Sequence, residues 1–109
     1  MITLCNAFSL NMLGCDFCDI NIQKVSVNYV NKFIGNNYVQ NAIGHKETDV
    51  IVRNMLNNDN IPTGDRINVS LDELNTLVVA QYKGPRLPEG TTQLPEGATI
   101  EFYIVKMID

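Results

Sequence analysis

The one histidine of the chain stands in N-A-I-G-H-K-E-T, residues 41–48, behind Gly44 and ahead of a stretch that reads as a helix. A lone histidine is more often a cap or a surface residue than a catalyst. Three local features favour chemistry here. Gly44 allows a close backbone approach. The start of the following helix offers free amide N–H groups, where a phosphate can sit. Imidazole exchanges a proton near neutral pH, so His45 beside a bound phosphate can act as a general acid.

A second constellation is G-P-R-L-P-E-G, residues 84–90. Arg86 offers a planar fork to phosphate oxygens. Glu89 can orient the histidine, accept a proton, or simply pair with Arg86 on a turn. A third is N-A-F-S-L-N, residues 6–11, where Asn6, Ser9 and Asn11 follow the first strand. Ligands gather at strand carboxyl ends in sheets of this kind, and these side chains can read a sugar hydroxyl, a phosphate or an adenine edge. Helix capping accounts for one of the three.

Cys5, Cys15 and Cys18 are the only cysteines. C-D-F-C has the spacing of half a zinc knuckle or of a redox pair. A closed zinc site takes about four ligands. Together with His45 the cysteines reach that number, but without a second paired motif. Ordinary apolar or loop thiols, with room for one disulfide, are the plainer reading. The aspartates are scattered singly rather than paired at metal-binding spacing, so no metal and no other cofactor is expected. An odd cysteine count differs from a fully oxidised secreted scaffold, which points to an intracellular protein.

Several elements must position these groups. Residues 2–5, I-T-L-C, read as a short buried strand, followed by a short helix capped by Asn6 or Ser9 and carrying Leu10 and Leu13. A turn covers 14–19, and a blurred alternation predicts a strand over 20–27. N-Y-V-N-K-F-I-G forms a helix or an extended turn closed by Gly35. The clearest helix is 46–57, with Val50, Ile51 and Met55 on its apolar side, Leu56 at the margin, and Glu47 and Asp49 in the first turn, where the helix field favours them. Residues 57–65 are a loop. R-I-N-V-S-L (66–71) and N-T-L-V-V-A-Q-Y (75–82) read as strands, the second with the β-branched core of a central one. Residues 83–98 hold L-P-E-G twice in a long connection with fixed bends. An alternating strand closes the chain over 99–107. The expected fold is α/β: a single domain, residues 1–109, with a mixed β-sheet flanked by helices.

With 109 residues, 45% of them apolar, the chain is one domain with one core. A net charge of −4 with eight Lys and Arg argues against binding long nucleic acid by a broad basic surface. It leaves room for a small polyanion held by a local cluster of donors. No apolar run approaches ~20 residues, so no membrane span is expected. The apolar start lacks a basic leader region and reads as a buried strand rather than a signal peptide. The Rossmann, P-loop and H-E-x-x-H patterns are absent.

N-A-F-S-L-N-M-L, I-G-H-K-E-T, V-V-A-Q-Y and R-L-P-E-G, in that order and spacing, make the whole chain resemble the viral type III anti-CRISPR ring nucleases, a family long known only as a domain of unknown function. That resemblance implies a homodimer acting in the cytoplasm of an infected archaeal cell, with cyclic tetraadenylate in a cleft across the two-fold axis. A cyclic tetranucleotide has repeating edges, and a two-fold dimer presents each recognition group twice. The family's catalytic histidine falls on His45 and its active-site glutamate on Glu89, rather than on Glu96 of the second L-P-E-G. Its ligand-contacting positions fall on Asn6, Ser9, Asn11, Arg66, Gln81 and Arg86. Lys46 and Glu47 stand where well-known relatives carry Asp and Ser. The implied reaction is transesterification without metal. A dimeric nucleic-acid-binding module and a protein that only sequesters the messenger are the competing classes.

Overall fold

In the computed structural model, which describes residues 1–108, the chain forms a five-stranded mixed sheet with two α-helices against one face. In chain order the elements are β1 (Ile2–Cys5), a 3-10 turn (Leu10–Met12), β2 (Asp19–Val25), α1 (Val27–Ile34), β3 (Val39–Asn41), α2 (Lys46–Leu56), β4 (Thr76–Lys83) and β5 (Thr99–Ile108). The strands lie in the order β2-β5-β4-β1-β3. β1 is parallel to β3 and to β4, while β5 is antiparallel to β4 and β2. The carboxyl ends of β1, β3 and β4 therefore point the same way. Leu4 is level with Asn41, and Cys5 with Val79.

Strand side chains alternate between two apolar layers. Ile2, Leu4, Val78, Ala80 and Phe102 meet Val30 and Ile34 of α1 and Val52 and Leu56 of α2. Cys5, Leu77, Val79 and Val105 face the other side, where Met12, Leu13, Val69 and Leu71 pack over them. Each aliphatic side chain buried in this way contributes roughly 1.5–3 kcal/mol. The expected mixed sheet flanked by helices is what forms, with both α-helices on one side.

α1 is a full helix. Ser26 caps it by accepting the Tyr29 N–H at 3.1 Å, and Gly35 ends it at φ +51°. Ser26 and Val27 thus belong to the helix entry rather than to the preceding strand, which stops at Val25. β2 pairs on one edge only and buries little, which explains its blurred alternation. On α2 the buried apolar residues are Ile51, Val52 and Leu56, so Val52 takes the place expected of Val50. Asn57 closes α2 in the left-handed conformation.

Two further expectations are corrected, and one strand is added. Residues 66–71 do not form a strand, and their one ladder contact is the isolated bridge between Leu13 and Leu71. The alternation of Ile67, Val69 and Leu71 reflects one-sided burial, Val69 and Leu71 over the second layer and Ile67 against the neighbouring cleft, not backbone pairing. The short helix after β1 is a single 3-10 turn, and Leu10 is exposed on it. β3 was not expected at all: three residues are too few for an alternation to register. Cys15 and Cys18 are joined by a disulfide, which removes them from the zinc and free-dithiol readings, while Cys5 is a buried free thiol.

The long connection is built as two matching turns. Thr91 donates its N–H to the Pro88 carbonyl, and Ala98 donates to that of Pro95. Gly90 and Gly97 both sit at φ +82°, the conformation the third turn position demands. The repeated L-P-E-G is therefore a repeated turn. Asn54 of α2 holds the connection through the Thr92 carbonyl, at 3.2 Å.

Candidate active site

β3 ends at Asn41, and the chain passes through Ala42, Ile43 and Gly44 to His45, the N-cap of α2. Nδ1 of His45 accepts the backbone N–H of Thr48 at 3.3 Å, and the Thr48 hydroxyl lies 3.2 Å from the same nitrogen. A backbone N–H can only donate, so in the neutral ring Nδ1 is the acceptor and Nε2 carries the proton. Capping by Nδ1 thus leaves Nε2 free for chemistry. One ring nitrogen anchors the helix, and the other has no protein partner among the described residues.

His45 lines an open cleft of about 590 Å³ with Lys46, Glu47, Arg86, Leu87, Pro88, Glu89 and Gly90. The helix start and the first L-P-E-G turn form its two walls. Glu89 and Glu96 occupy equivalent places in their turns, but only Glu89 lines this cleft. Leu87 is buried beneath it and Tyr82 donates to the Pro85 carbonyl at 2.6 Å, so the turn has a fixed base.

A buried polar network holds both ends of the His45 segment. Asp49, 2% exposed, accepts from Asn41 Nδ2 at 2.7 Å, from the Gly64 N–H at 3.0 Å, and from Arg53 at 3.1 and 3.0 Å. Asn41 also donates to the Pro62 carbonyl at 2.9 Å and accepts the Ile43 N–H at 3.1 Å. β3, α2 and the loop leading to Arg66 are fastened at this one carboxylate.

Asn6, Ser9 and Asn11 line a second cleft of about 450 Å³, shared with Cys5, Ala42, Ile67 and Asn68. Ser9 is the capping residue of the three, accepting the Asn11 N–H at 3.3 Å. Arg66 lies across Gly44, where an added Cβ would come within 3.2 Å of its Nε. It stands between the two clefts, because Ala42 and Ile67 line one and His45 the other. Gln81 lines neither cleft. It sits exposed on β4 opposite Glu101 of β5. The structure therefore brings His45, Arg86 and Glu89 together, and Asn6, Ser9 and Asn11 together, and sets Gln81 apart from both groups.

Near Gln81, Tyr103 donates to Glu101 at 2.7 Å and Lys24 stands 3.5 Å from the same carboxylate. The Tyr103 hydrogen bond, then Lys24 and Lys83, hold Glu101 below the usual glutamate range, and the same bond raises Tyr103. Burial pushes the Cys5 thiol up to about 11, so it stays protonated and unreactive. Among the described residues, no three His, Cys, Asp or Glu side chains converge as a metal would require.

Thr48 and the Asn41–Asp49 pair escaped the sequence reading. From the sequence, the helix field alone accounts for Asp49. The signal for Thr48 is its place three residues after the N-cap, where a cap's acceptor meets the backbone.

A family model described as STIV B116-like matches residues 2–104. Among solved structures, B116 of Sulfolobus turreted icosahedral virus (STIV) is similar at a TM-score of 0.76 and 26% sequence identity, over 96% of this chain and 97% of that one. No curated protein matches the chain.

Proposed function

The chain belongs to the STIV B116-like family, and we propose that it is a ring nuclease that opens cyclic tetraadenylate and so silences type III CRISPR signalling. The observation that carries this reading is the convergence of His45, Arg86 and Glu89 on one cleft. The sequence resemblance supplies the substrate and points to a source in an Acidianus filamentous virus, acting in the cytoplasm of its archaeal host. The working unit is a homodimer. In it the His45 clefts and the Asn6–Ser9–Asn11 clefts of two copies surround one cyclic ligand, with Arg66 and Gln81 adding contacts from each side.

The reaction needs no resident metal. A ribose 2′-oxygen attacks its own 3′-phosphorus, a 2′,3′-cyclic phosphate forms, and the bond from phosphorus to the 5′-oxygen breaks. Holding the three atoms in line supplies much of the rate. In its charged form His45 gives the Nε2 proton to the departing 5′-oxygen and is left neutral with the remaining proton on Nδ1. Arg86 and the free N–H groups at the start of α2 stabilise charge on the phosphoryl oxygens. Glu89 takes the proton of the attacking 2′-hydroxyl, or positions His45 while solvent takes that proton. Asn6, Ser9 and Asn11 set the ribose and phosphate. Cuts on opposite sides of the ring release two linear diadenylates, each ending in cyclic phosphate.

The test is incubation with cyclic tetraadenylate in EDTA, with products resolved by mass. Linear diadenylate with cyclic phosphate from the parent chain, and none from His45→Ala, is the expected result. Tight binding without turnover would make the chain a sequestering protein. Affinity for long RNA or DNA that collapses with salt, and no cleavage, would make it a nucleic-acid-binding module.

A further inference from the structure

We propose that the Thr48 hydroxyl is a positioning group for His45, holding Nδ1 in both charge states of the ring so that Nε2 stays directed into the cleft while its proton moves. For the reaction the inference rests on the ring-nuclease reading; for the behaviour of the ring it stands on geometry alone.

The N-cap bond by itself serves only the neutral ring. The Thr48 N–H, 3.3 Å from Nδ1, can donate but never accept. Once Nδ1 is protonated, the two N–H groups oppose each other. The Thr48 hydroxyl, 3.2 Å from Nδ1, can do both by rotating about its C–O bond. It donates to the neutral ring and accepts Nδ1–H from the charged one. Thr48 is 5% exposed, so water is poorly placed to substitute for it. A charged ring that gives up its Nε2 proton keeps the one on Nδ1, so Nδ1 is a donor throughout the transfer and an acceptor only in the resting ring, and every turnover needs a partner that serves both. With a cap that accepts only the neutral ring, protonation would expel the imidazole from its seat.

Other charges face His45. Lys46 and Glu47 come from α2, Arg86 and Glu89 from the first L-P-E-G turn, and Arg66 from across Gly44. None is altered by a change at Thr48, so a substitution there isolates the hydroxyl. Thr48→Val keeps the shape and the backbone donor, and Thr48→Ser keeps the hydroxyl.

Because His45 is the only histidine, the imidazole ¹⁵N signals of the labelled protein belong to one ring. Their titration without substrate is the primary test. In Thr48→Val the midpoint moves to lower pH by about one unit, the size of one lost hydrogen bond to a charged group. Thr48→Ser returns it to the parent position. With cyclic tetraadenylate, kcat of Thr48→Val at neutral pH falls about tenfold with KM unchanged, and the alkaline limb of the rate profile shifts by the same amount. A parental titration in folded Thr48→Val overturns the proposal, whether or not the chain cleaves anything. If Thr48→Val does not fold, Thr48→Ala must show the shift, and its absence there overturns the proposal equally. A shifted titration in a protein that leaves cyclic tetraadenylate intact upholds the role of Thr48 and removes only the ring-nuclease reading.

Discussion

Asn41 donates from Nδ2 to Oδ1 of Asp49 at 2.7 Å, tying the carboxyl end of β3 to the first turn of α2. His45 lies between these anchors, so the seat of its imidazole is set partly by a bond it does not make. The other oxygen of Asp49 accepts from Gly64, two residues before Arg66. Residues far apart in the chain are therefore placed around the cleft from one buried carboxylate.

Removing that carboxylate leaves Arg53 and Gly64 without this acceptor, and leaves Asn41 Nδ2 with only the Pro62 carbonyl. Asp49→Ala is expected to lower unfolding free energy by about 2–4 kcal/mol, the scale of partly buried donors left unpaired, because Arg53 is exposed enough to turn to solvent. Glu47→Ala, in the same helical turn but more exposed and outside the network, should change it by less than about 0.5 kcal/mol. Urea unfolding of the two variants checks the contrast.

Gly64 and Gly14 make a second contrast. A Cβ at Gly64 would run into the Ile43 carbonyl and come within 2.9 Å of Asp49, whereas one at Gly14 meets nothing within 4 Å. Gly64→Ala is expected to destabilise by about 1–3 kcal/mol, the usual range for overpacking, and Gly14→Ala by almost nothing. Thermal melts of the pair distinguish them.

The two L-P-E-G turns separate a cleft role from a turn role. Glu89→Gln should reduce cleavage of cyclic tetraadenylate by about 10²-fold or more, the scale of a lost acid–base group. Glu96→Gln has the same turn but does not line the cleft, and should match the parent. Initial rates under saturating substrate decide it. Equal losses in both would assign the effect to the turns.

Cys5 gives a pH dependence. Its thiol is raised from 9.0 to about 11 by burial, so the folded chain keeps it neutral after the unfolded chain has begun to ionise. The resulting stability is complete below pH 9 and is lost as pH rises to about 11. Parent and Cys5→Ala melts should converge across that window. Iodoacetamide should label Cys5 only after unfolding.

The sheet and the helices were legible wherever one side of an element is buried over several residues. β4, β5, α1 and α2 show this, and so do the turns that Gly90 and Gly97 make obligatory. Legibility failed where the same pattern has two structural causes. Ile67, Val69 and Leu71 alternate as a strand would, yet Val69 and Leu71 pack over a sheet without joining it. It failed again where an element is too short to carry a pattern, as in β3. For the site, His45, Arg86 and Glu89 could be picked out by chemistry, but no spacing announces that residues 45 and 89 share a cleft. Asp49 looked like an ordinary helix-start acid because its partners Asn41 and Gly64 lie on other segments.

The most direct measurement compares parent and His45→Ala on cyclic tetraadenylate in which the 5′-bridging oxygens are replaced by sulfur. A thiolate departs without being protonated, so a missing general acid should no longer matter. His45→Ala is expected to be about 10²–10⁴-fold slower than the parent on the natural linkage, and to lie within a few-fold of it on the sulfur linkage. An equal deficit on both substrates would contradict His45 as the acid that releases the 5′-oxygen.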